Sequence, residues 1–436
     1  MKDFALTNGK IVTHERVFEG TVFVKDGKID RVEDGHGDTG DVTAIDVSGK
    51  HIFPGAIDVH VHFRTPGHTD KEDWKHGSKA ALAGGVTTVL DMPNNDPPTT
   101  NQSRLDEKRD MVKDDAMVNY GFYAGATKDN VEDVAKMVNI AGVKIYMGSS
   151  TGDLLVDDLE TLEKFMVETP HLLVLHAENE ACIGLHQKEH EGDENPGVHS
   201  AIRDPECAYE AVKDALYLAK KHNGRIHIAH ASTAKELDAV RKFKNEKVSV
   251  EVTPHHLFLT EKDYAEYGNL IRVNPPVRAM VDQVALWEGI KDGTVDMVAT
   301  DHAPHLEREK EQSYSKVPSG VPGVQTMLPL LLNAVNEGKL TLEKVVELTS
   351  FNPAQKFGIK NKGMLVSGYD ADITVVDMDL QEKVCHKFLW TKCNWSPFHG
   401  WVLKGYPVRT FVNGVLMYEW RDTFQEGIGQ EVEYSA

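Results

Sequence analysis

The sequence predicts an α/β fold, a (β/α)₈ TIM-like barrel with a small β-sandwich domain formed by the N- and C-terminal segments. Three observations predict this fold class. Short apolar runs alternate with helix-like segments through the middle of the chain, as strands and helices do in a barrel. Both ends of the chain instead alternate apolar and polar residues between turns. The length of 436 residues suits one large barrel with a smaller appendage.

The two ends of the chain have the texture of short antiparallel strands. Near the N-terminus, FALTNGKIVT, GTVFVKDGKIDRVED and TAIDVSGKHIFPG alternate with period two and are broken by the turn signals NGK, DGK and SGK. Near the C-terminus, DADITVVDMD and PVRTFVNGVLMYEW repeat this pattern. We therefore expect the small domain to comprise residues 1–51 and 365–436, and the barrel to comprise residues 52–364.

The middle of the chain contains eight strand candidates separated by helix-like segments. Several of these segments end in Gly or Asn, as helices often do. An open, doubly wound sheet is the alternative, but the first strand lacks the G-x-G-x-x-G of a dinucleotide-binding sheet. The strand candidates are residues 57–63, 87–93, 118–124, 143–148, 172–177, 225–231, 248–254 and 296–303.

Polar side chains collect at the predicted carboxyl ends of five strands, where the chemistry of a (β/α)₈ barrel is located. Because the chain contains 21 histidines, any one of them alone has an ordinary structural explanation. Strand alternation strengthens the functional interpretation, since His60 and His62 share a face, whereas His227 and His230 do not. We therefore assign His230 to the site and leave His227 structural. The candidate residues are His60, His62, Lys144, His176, His230 and Asp301.

This set indicates a metal site. Imidazole and carboxylate ligands suit Zn²⁺, with Mn²⁺, Co²⁺ or Fe²⁺ as substitutes. Four histidines and an aspartate exceed the three protein ligands of a single catalytic zinc, whereas two ions would use them all. The carbamate of Lys144 could bridge two ions about 3.5–4 Å apart. From spacing alone, however, a buried or snorkelling lysine explains Lys144 better.

Composition excludes several kinds of partner. The formal net charge of −20 argues against nucleic acid and against anionic membranes, because like charges repel. No apolar run approaches the roughly 20 residues of a membrane span, and the N-terminus lacks the apolar core of a signal peptide. The four cysteines form no C-x-x-C pair, so we expect reduced thiols in a cytoplasmic protein.

Longer motifs resemble those of the amidohydrolase superfamily and, more closely, its dihydroorotases. DVHVHFRTPG resembles the HxHxR-x-PG opening of that family, and DMPNNDPP resembles its MPN segment. Thr65 departs from the expected glutamate, at a position that is not a ligand. Counterparts extend from residue 58 to residue 405 and include KIYMGSSTG, HAENE, HIAHAST, RVNPPVR, TDHAPH, SGVPGVQTMLPLLL and SPFHGWVLKG.

The resemblance implies a zinc-dependent hydrolase of cyclic amides that interconverts L-dihydroorotate and N-carbamoyl-L-aspartate in de novo pyrimidine biosynthesis. It implies two Zn²⁺ ions per subunit, bridged by N6-carboxylated Lys144. Asp301 would bind the more buried ion and act as the catalytic proton carrier. The other implied ligands are His60 and His62 on the more buried ion, and His176 and His230 on the more exposed one.

The implied substrate carries a carboxylate in either direction, and a guanidinium suits a carboxylate. Arg64 lies two residues beyond His62, on the same predicted face. The charged segment 306–319 lacks apolar anchors, so we expect it to be a mobile lid. The resemblance assigns substrate contacts to His62, Arg64, Asn94 and His305, and contacts with the pyrimidine ring to Asn274 and the backbone of Ser319 and Gly320.

Two alternatives remain at this stage. Allantoinases and dihydropyrimidinases share the metal ligands but, by the same resemblance, lack the arginine and the MPN asparagine, so Arg64 and Asn94 favour a dihydroorotase. A catalytically silent scaffold homologue would have lost ligands, and all six positions are present here. The sequence leaves open a homodimer and an association with aspartate transcarbamoylase.

Overall fold

The computed structural model describes residues 3–148, 154–421, 423–425 and 429–435. Its strands fall into a mixed, mainly antiparallel group from both ends of the chain and a parallel group from the middle. The first group is β1 Phe4–Val12, β2 Val17–Lys25, β3 Lys28–Asp34, β4 Thr43–Asp46, β5 His51–Pro54, β15 Ile373–Lys383, β16 Val402–Val412, β17 Val415–Glu419 and β18 Thr423–Phe424. The second group is β6 Ala56–Val61, β7 Val86–Asp91, β8 Asn119–Phe122, β9 Ala124–Gly125, β10 Val143–Tyr146, β11 Leu173–His176, β12 Ile226–Ile228, β13 Val248–Val252 and β14 Met297–Val298.

Strands from both termini share one sheet, in the order β18-β17-β16-β15-β5-β1-β2-β3, with β4 beside β1. The two halves join where β5 runs antiparallel to β15, with His51 opposite Val376. The alternating apolar side chains that predicted these strands pack into a common core. The last described residues pack against the barrel and not against this sheet. There the Val432 N–H donates to the carbonyl oxygen of Tyr120, a residue of β8, at 2.8 Å.

The parallel strands form the predicted barrel. Among the described residues, β8 and β9 act as one strand interrupted at Tyr123, which leaves eight strand positions in order around the barrel. The barrel closes between β6 and the segment after β14, where His62 N–H donates to His302 O at 2.8 Å. The eighth strand is shorter than predicted, since Asp301 adopts a left-handed φ of 46° and ends the extended run.

Helices follow most barrel strands, and their ends carry the expected sequence signals. Helix α7 begins after the N-cap Asp204 with proline at its first position, and it ends at a left-handed Asn223. Helix α8 begins with a capping box of Thr233 and Glu236. The helices are α1 Trp74–Ala83, α2 Gln102–Val112, α3 Val131–Ala135, α4 Leu159–Glu168, α5 Glu180–Glu189, α6 Val198–Ile202, α7 Pro205–His222, α8 Ala234–Phe243, α9 Pro254–Phe258, α10 Tyr264–Tyr267, α11 Met280–Asp292, α12 Glu307–Lys310, α13 Met327–Asn336, α14 Leu342–Val346 and α15 Asn352–Phe357.

The amino-terminal end of the barrel is closed by apolar side chains. Val59, Leu90 and Met297 of the barrel strands form one buried cluster with Phe357 of α15 and Val432 of the C-terminal segment. The polar carboxyl end of the barrel is therefore the open end, as expected for this fold class. Among the helices that the structure describes, none combines the length and the apolar character required to cross a bilayer.

The cysteines correct one expectation from the sequence. Cys182 and Cys207 form a disulfide between α5 and α7, whereas Cys385 and Cys393 are free. The prediction of four reduced thiols is therefore wrong for the first pair. The two residues lie 25 positions apart, so only the packing of the two helices brings them together. The cysteines no longer support the prediction of a reducing compartment.

Candidate active site

A cavity of about 260 Å³ lies at the carboxyl ends of the barrel strands. The side chains or backbone of all twelve predicted site residues line this cavity, although they come from positions 60 to 320 of the chain. The predicted residues on its wall are His60, His62, Arg64, Asn94, Lys144, His176, His230, Asn274, Asp301, His305, Ser319 and Gly320. The sequence-based expectation that these residues share one site therefore agrees with their placement.

The first strand and the eighth strand contribute a group of two imidazoles and one carboxylate. His60 is the last inward-facing residue of β6, and His62 follows the end of that strand. The Nε2 atoms of His60 and His62 lie 3.3 Å and 3.0 Å from Asp301 Oδ1. His60 is buried almost completely, so its ring has little freedom to turn away. The three side chains converge tightly enough to hold one metal ion.

Glu251, a buried residue of the seventh strand, holds the His60 ring from the side that faces away from Asp301. Glu251 Oε1 lies 2.5 Å from His60 Nδ1 and also accepts the His230 N–H at 3.1 Å. Its other carboxylate oxygen, Oε2, lies 2.9 Å from His227 Nε2. Because the carboxylate holds the Nδ1 proton of His60, the Nε2 lone pair of that ring points into the cavity. His227 thus has the structural role assigned to it, but it contacts the same carboxylate as His60. The expectation that only one of His227 and His230 faces inward is wrong, because the left-handed backbone of His230, with a φ of 35°, breaks the strand alternation.

The fifth and sixth strands contribute the second imidazole pair. His176 Nδ1 lies 3.0 Å from His230 Nε2, and the two ring centroids are 4.7 Å apart. The His230 ring is also 5.4 Å from the His60 ring, so the imidazoles form a continuous row across the cavity. Behind the pair, Glu178 Oε2 lies 2.9 Å from His176 Nε2 and is also bound by buried Arg203. The arginine lowers the pKa of Glu178, although burial of the carboxyl opposes this.

Lys144 projects from the fourth strand into the same cavity. Its side chain is fully buried, and Nζ has no hydrogen-bond partner in the described structure. Burial lowers the pKa of Lys144 to about 8. A lysine that snorkels would place its ammonium in water, and this one does not. The structure therefore excludes a snorkelling lysine and shows Lys144 as a buried lysine whose amine has no hydrogen-bond partner.

The donor set fits divalent metal ions. Lys144 Nζ and His230 Nδ1 are buried polar atoms without a partner, and such atoms are rare unless a ligand or a modification satisfies them. Burial lowers the pKa of His62 to about 4, although Asp301 opposes the shift, so the ring is neutral near pH 7. Neutral imidazole is the form that binds metals. Imidazoles and carboxylates are ligands that zinc accepts.

Three cavity residues have left-handed backbone conformations that side chains other than glycine rarely adopt. Arg64, His230 and Asp301 have φ angles of 62°, 35° and 46°. Such conformations cost roughly 1–3 kcal/mol each and persist only where the surroundings impose them. Arg64 lies three residues beyond the end of β6, so strand alternation alone did not determine its direction. The turn at Arg64 nevertheless returns its side chain to the cavity.

The outer part of the cavity carries positive charge and hydrogen-bond donors. Arg64 Nε donates to Pro304 O at 3.2 Å, and its terminal nitrogen lies 3.3 Å from His305 Nε2. Asn94 Oδ1 lies 2.7 Å from His62 Nδ1, so the amide nitrogen of Asn94 points away from the His62 ring. Behind His305, Lys71 Nζ lies 3.2 Å from Nδ1 of that ring and is paired with Glu309 at 3.0 Å, so Arg64 is the cation on this part of the cavity wall. This arrangement favours an anion above the imidazole row.

The residues expected to contact a substrate ring already have protein partners. Asn274 Oδ1 lies 2.9 Å from His199 Nε2. Ser319 O lies 3.1 Å from His305 Nε2, and the Gly320 N–H donates to Arg272 O at 2.9 Å. These groups form one wall of the cavity, but the Gly320 N–H is not free to bind a ligand. Gly320 is required here, because a Cβ would lie 2.5 Å from Ala303 O.

The segment 306–319 differs from the expected lid without apolar anchors. Tyr314 and Val317 are buried. Lys310 is also buried, and its Nζ donates to Pro318 O, Gly320 O and Arg272 O at distances between 2.9 Å and 3.0 Å. The expectation of an unanchored segment is therefore wrong. The charged composition of this segment predicted exposed side chains, but its Lys310 is buried and donates to backbone carbonyls instead of to water.

Sequence reasoning missed four residues that complete the site. Tyr146 lines the cavity, and its buried hydroxyl has no partner in the described structure. Its position two residues after Lys144 places it on the same strand face, and this signal could have identified it. Arg272 also lines the cavity. Glu251 and Glu178 lie behind the imidazoles, and no local spacing indicates which histidine each one contacts.

Comparisons with known proteins agree with this site. The sequence profile of the amidohydrolase family matches residues 51–417. A protein of Methanosarcina acetivorans named dihydroorotase is 36% identical over 99% of this chain and 97% of its own length. The protein of that name from Halobacterium salinarum is 38% identical over 84% of this chain and 86% of its own.

A solved structure titled L-hydantoinase (dihydropyrimidinase) from Arthrobacter aurescens superposes on this structure with a TM-score of 0.96. It is 30% identical in sequence, and the match covers 99% of this chain and 100% of that one. The fold class predicted from the sequence, a barrel with a small β domain, is confirmed by this similarity. The chain therefore belongs to the amidohydrolase family, and the curated relatives that it matches over most of its length are named dihydroorotases.

Proposed function

We propose that this chain is a dihydroorotase, which opens the ring of L-dihydroorotate to N-carbamoyl-L-aspartate and closes it again. The position of Arg64 carries the proposal. This guanidinium lies beside His305 on the same cavity wall as the His60–His62 pair. A cyclic amide placed over the imidazole row would therefore have its carboxylate against a cation. The names of the curated relatives support the same activity.

The proposed metal centre consists of two Zn²⁺ ions per subunit. The ions would be held by His60, His62 and Asp301 on one side and by His176 and His230 on the other. Carboxylation of the unpartnered Lys144 amine would supply the two oxygens of a bridge. When bound, such ions lower the pKa of water and polarise a carbonyl oxygen, which is the chemistry that amide hydrolysis requires.

Asp301 has the geometry of a proton carrier. Its Oδ1 atom lies between the Nε2 atoms of His60 and His62, and its backbone conformation holds it at the cavity wall. We infer that the carboxylate accepts a proton from the attacking water and delivers it to the ring nitrogen that leaves the carbonyl carbon. In ring closure the same oxygen takes the proton from that nitrogen. A group that exchanges one proton between two partners must reach both, so it has to lie inside the cavity.

The substrate carboxylate would bind at the outer end of the cavity. Arg64 supplies a planar pair of donors, Asn94 supplies its amide nitrogen, and His305 lies beside the guanidinium. These groups provide local positive charge within a chain whose net charge is −20. Asn274 and the backbone at Ser319 and Gly320 would then enclose the ring mainly by shape, since Asn274 Oδ1, Ser319 O and the Gly320 N–H already have partners.

A comparison of substrates tests the proposal. Ring opening of dihydroorotate is measured beside that of dihydrouracil, which lacks the carboxylate, and of hydantoin and allantoin. We expect the wild-type protein to prefer dihydroorotate. Loss of a hydrogen bond to a charged group costs about 1.5–3 kcal/mol, so Arg64→Met should lower kcat/KM for dihydroorotate about 10- to 150-fold. Its kcat/KM for dihydrouracil should be unchanged.

A second candidate is a cyclic amidase acting on uncharged rings, which the titles of the superposed hydantoinase structures favour. In that case the wild-type protein opens dihydrouracil or hydantoin faster than dihydroorotate, and Arg64→Met changes all substrates alike. A catalytically silent scaffold would show no turnover of any of these rings after reconstitution with zinc and bicarbonate. Each outcome differs from the one expected for a dihydroorotase.

The lysine bridge is tested through metal content. We expect Lys144→Ala to bind less zinc than the wild-type protein when both are reconstituted in zinc and bicarbonate, because the bridging oxygens are lost. Wild-type protein reconstituted without carbon dioxide should show the same deficit, which serves as the matched control. Normal zinc occupancy in Lys144→Ala would argue against a bridge. The cytoplasmic location stays a prediction from the sequence, which also leaves open a homodimer and an association with aspartate transcarbamoylase.

A further inference from the structure

A second group of metal-binding side chains lies outside the active-site cavity, between helices α5 and α7. Cys182 and His186 project from α5, and Cys207 projects from the start of α7. Their ligand atoms all lie within 4.8 Å of one another. Cys182 and His186 are partly exposed, whereas Cys207 is buried, so the group lies at the surface with one side open to solvent. The proposed dihydroorotase activity uses none of these residues.

The helices present the three side chains as a chelating site would. Cys182 and His186 are four residues apart, so they lie on the same face of α5, one turn apart. Cys207 is the third residue of α7, where the positive end of the helix dipole favours a thiolate. The backbone holds the two helix starts together, since the Asn179 N–H donates to Cys207 O at 2.9 Å. The site therefore has a fixed backbone and two thiols.

The distance from the histidine to the thiol also fits a metal. His186 Nδ1 lies 3.8 Å from Cys207 Sγ. In a tetrahedral zinc site with Zn–N and Zn–S bonds of about 2.05 Å and 2.3 Å, the two ligand atoms stand roughly 3.6 Å apart. A disulfide does not require an imidazole, so its own chemistry does not explain the position of His186. Two thiolates and one imidazole are ligands that select Zn²⁺ among the common divalent ions.

We propose that Cys182, His186 and Cys207 form an additional zinc site when the disulfide is reduced, with water in the fourth position. The disulfide and the metal-bound state exclude each other, because the same two sulfur atoms take part in both. A dithiol reductant supplies two electrons and two protons to open the disulfide and is itself oxidised to a disulfide. Binding of Zn²⁺ then releases the two thiol protons and leaves the ion bound by two thiolates and the neutral His186 ring.

The experiment uses the intact protein with its active site already loaded with zinc. One sample is reduced with a dithiol and freed of the reductant without oxygen, and the other remains oxidised. Both are titrated with Co²⁺, whose bond to thiolate gives a charge-transfer band in the near ultraviolet that nitrogen and oxygen ligands do not give. We expect one equivalent of this band in the reduced protein and none in the oxidised protein. Excess Zn²⁺ should remove the band and should slow alkylation of both thiols.

Two pairs of variants test which side chains hold the ion. His186→Gln keeps both cysteines and should still form the disulfide, but it should weaken Co²⁺ binding at least tenfold; His190→Gln, at the end of the same helix, is its matched control. Cys207→Ser should abolish the band, whereas Cys385→Ser should retain it. Absence of the band in the reduced wild-type protein overturns the proposal. So does unchanged affinity in His186→Gln, a result that stands even if the cysteine variants fail to fold.

Discussion

The buried Glu251 offers a sharp test of how the proposed metal centre is held. Its Oε1 atom accepts the His60 Nδ1–H at 2.5 Å and the His230 N–H at 3.1 Å, while Oε2 accepts the His227 Nε2–H. Glu251→Gln preserves the shape of the side chain but removes its charge. His227 can adapt by exchanging its tautomer, because its Nδ1 faces Ser249 Oγ at 2.8 Å. The main loss is therefore the charged hydrogen bond to His60.

The expected magnitude follows from that contact. A hydrogen bond to a charged group contributes about 1.5–3 kcal/mol, more than a neutral one. Loss of a carboxylate that orients a metal-binding histidine typically lowers metal affinity about 10- to 100-fold, or roughly 1.4–2.8 kcal/mol. The two ranges agree, so we expect Glu251→Gln to weaken zinc binding by about one to two orders of magnitude. The helical and strand content of the protein should not change.

The assay is competition with a chelator of known zinc affinity, with circular dichroism as the check on folding. Glu236→Gln is the matched control, because Glu236 is equally buried and hydrogen-bonded but caps helix α8 through the Thr233 N–H at 2.8 Å. That control should bind zinc like the wild-type protein. Zinc affinity within twofold of wild type in Glu251→Gln would refute the positioning role. Equal losses in both variants would point to a general effect of removing a buried charge.

Three further predictions concern catalysis and stability. Asp301→Asn should lower kcat by at least about 10²-fold with an unchanged circular dichroism spectrum; near-normal kcat would exclude Asp301 as the proton carrier. Lys108→Met leaves the fully buried Asp91 without its ammonium partner at 2.5 Å, so the free energy of unfolding in urea should fall by about 3–5 kcal/mol; a loss below about 1 kcal/mol would contradict this. Burial would raise the pKa of Asp370, but Lys362 lowers it below its unfolded value. The ionised carboxylate therefore stabilises the fold at pH values above the unfolded pKa of about 4, and this stabilisation is lost as the pH falls through the lower folded pKa. Asp370→Asn should therefore be less stable than wild type at pH 7, and the difference in the free energy of unfolding should shrink as the pH falls below about 4. A difference that stays constant would contradict this.

Most of the architecture could be predicted because it depends on local periodicity. Alternation with period two identified the terminal strands, and short apolar runs identified the barrel strands to within a few residues. The strand of His60 and the strand of His176 carry their functional side chains at the carboxyl end, where the fold class places chemistry. The same local rule, applied to Lys144 and the residue two positions later, would also have identified Tyr146.

What the sequence by itself determined is the set of residues that can do chemistry and the strand ends from which they project. Only the tertiary structure decided their partners. Glu251 and His60 are 191 positions apart, and closure of the barrel alone brings them together. The same holds for the disulfide of Cys182, which replaced the expected free thiol, and for Lys310, whose carbonyl partners anchor the expected lid. Local spacing encodes the direction of a side chain along its own strand or helix, whereas contacts between distant elements depend on packing, which no single segment contains.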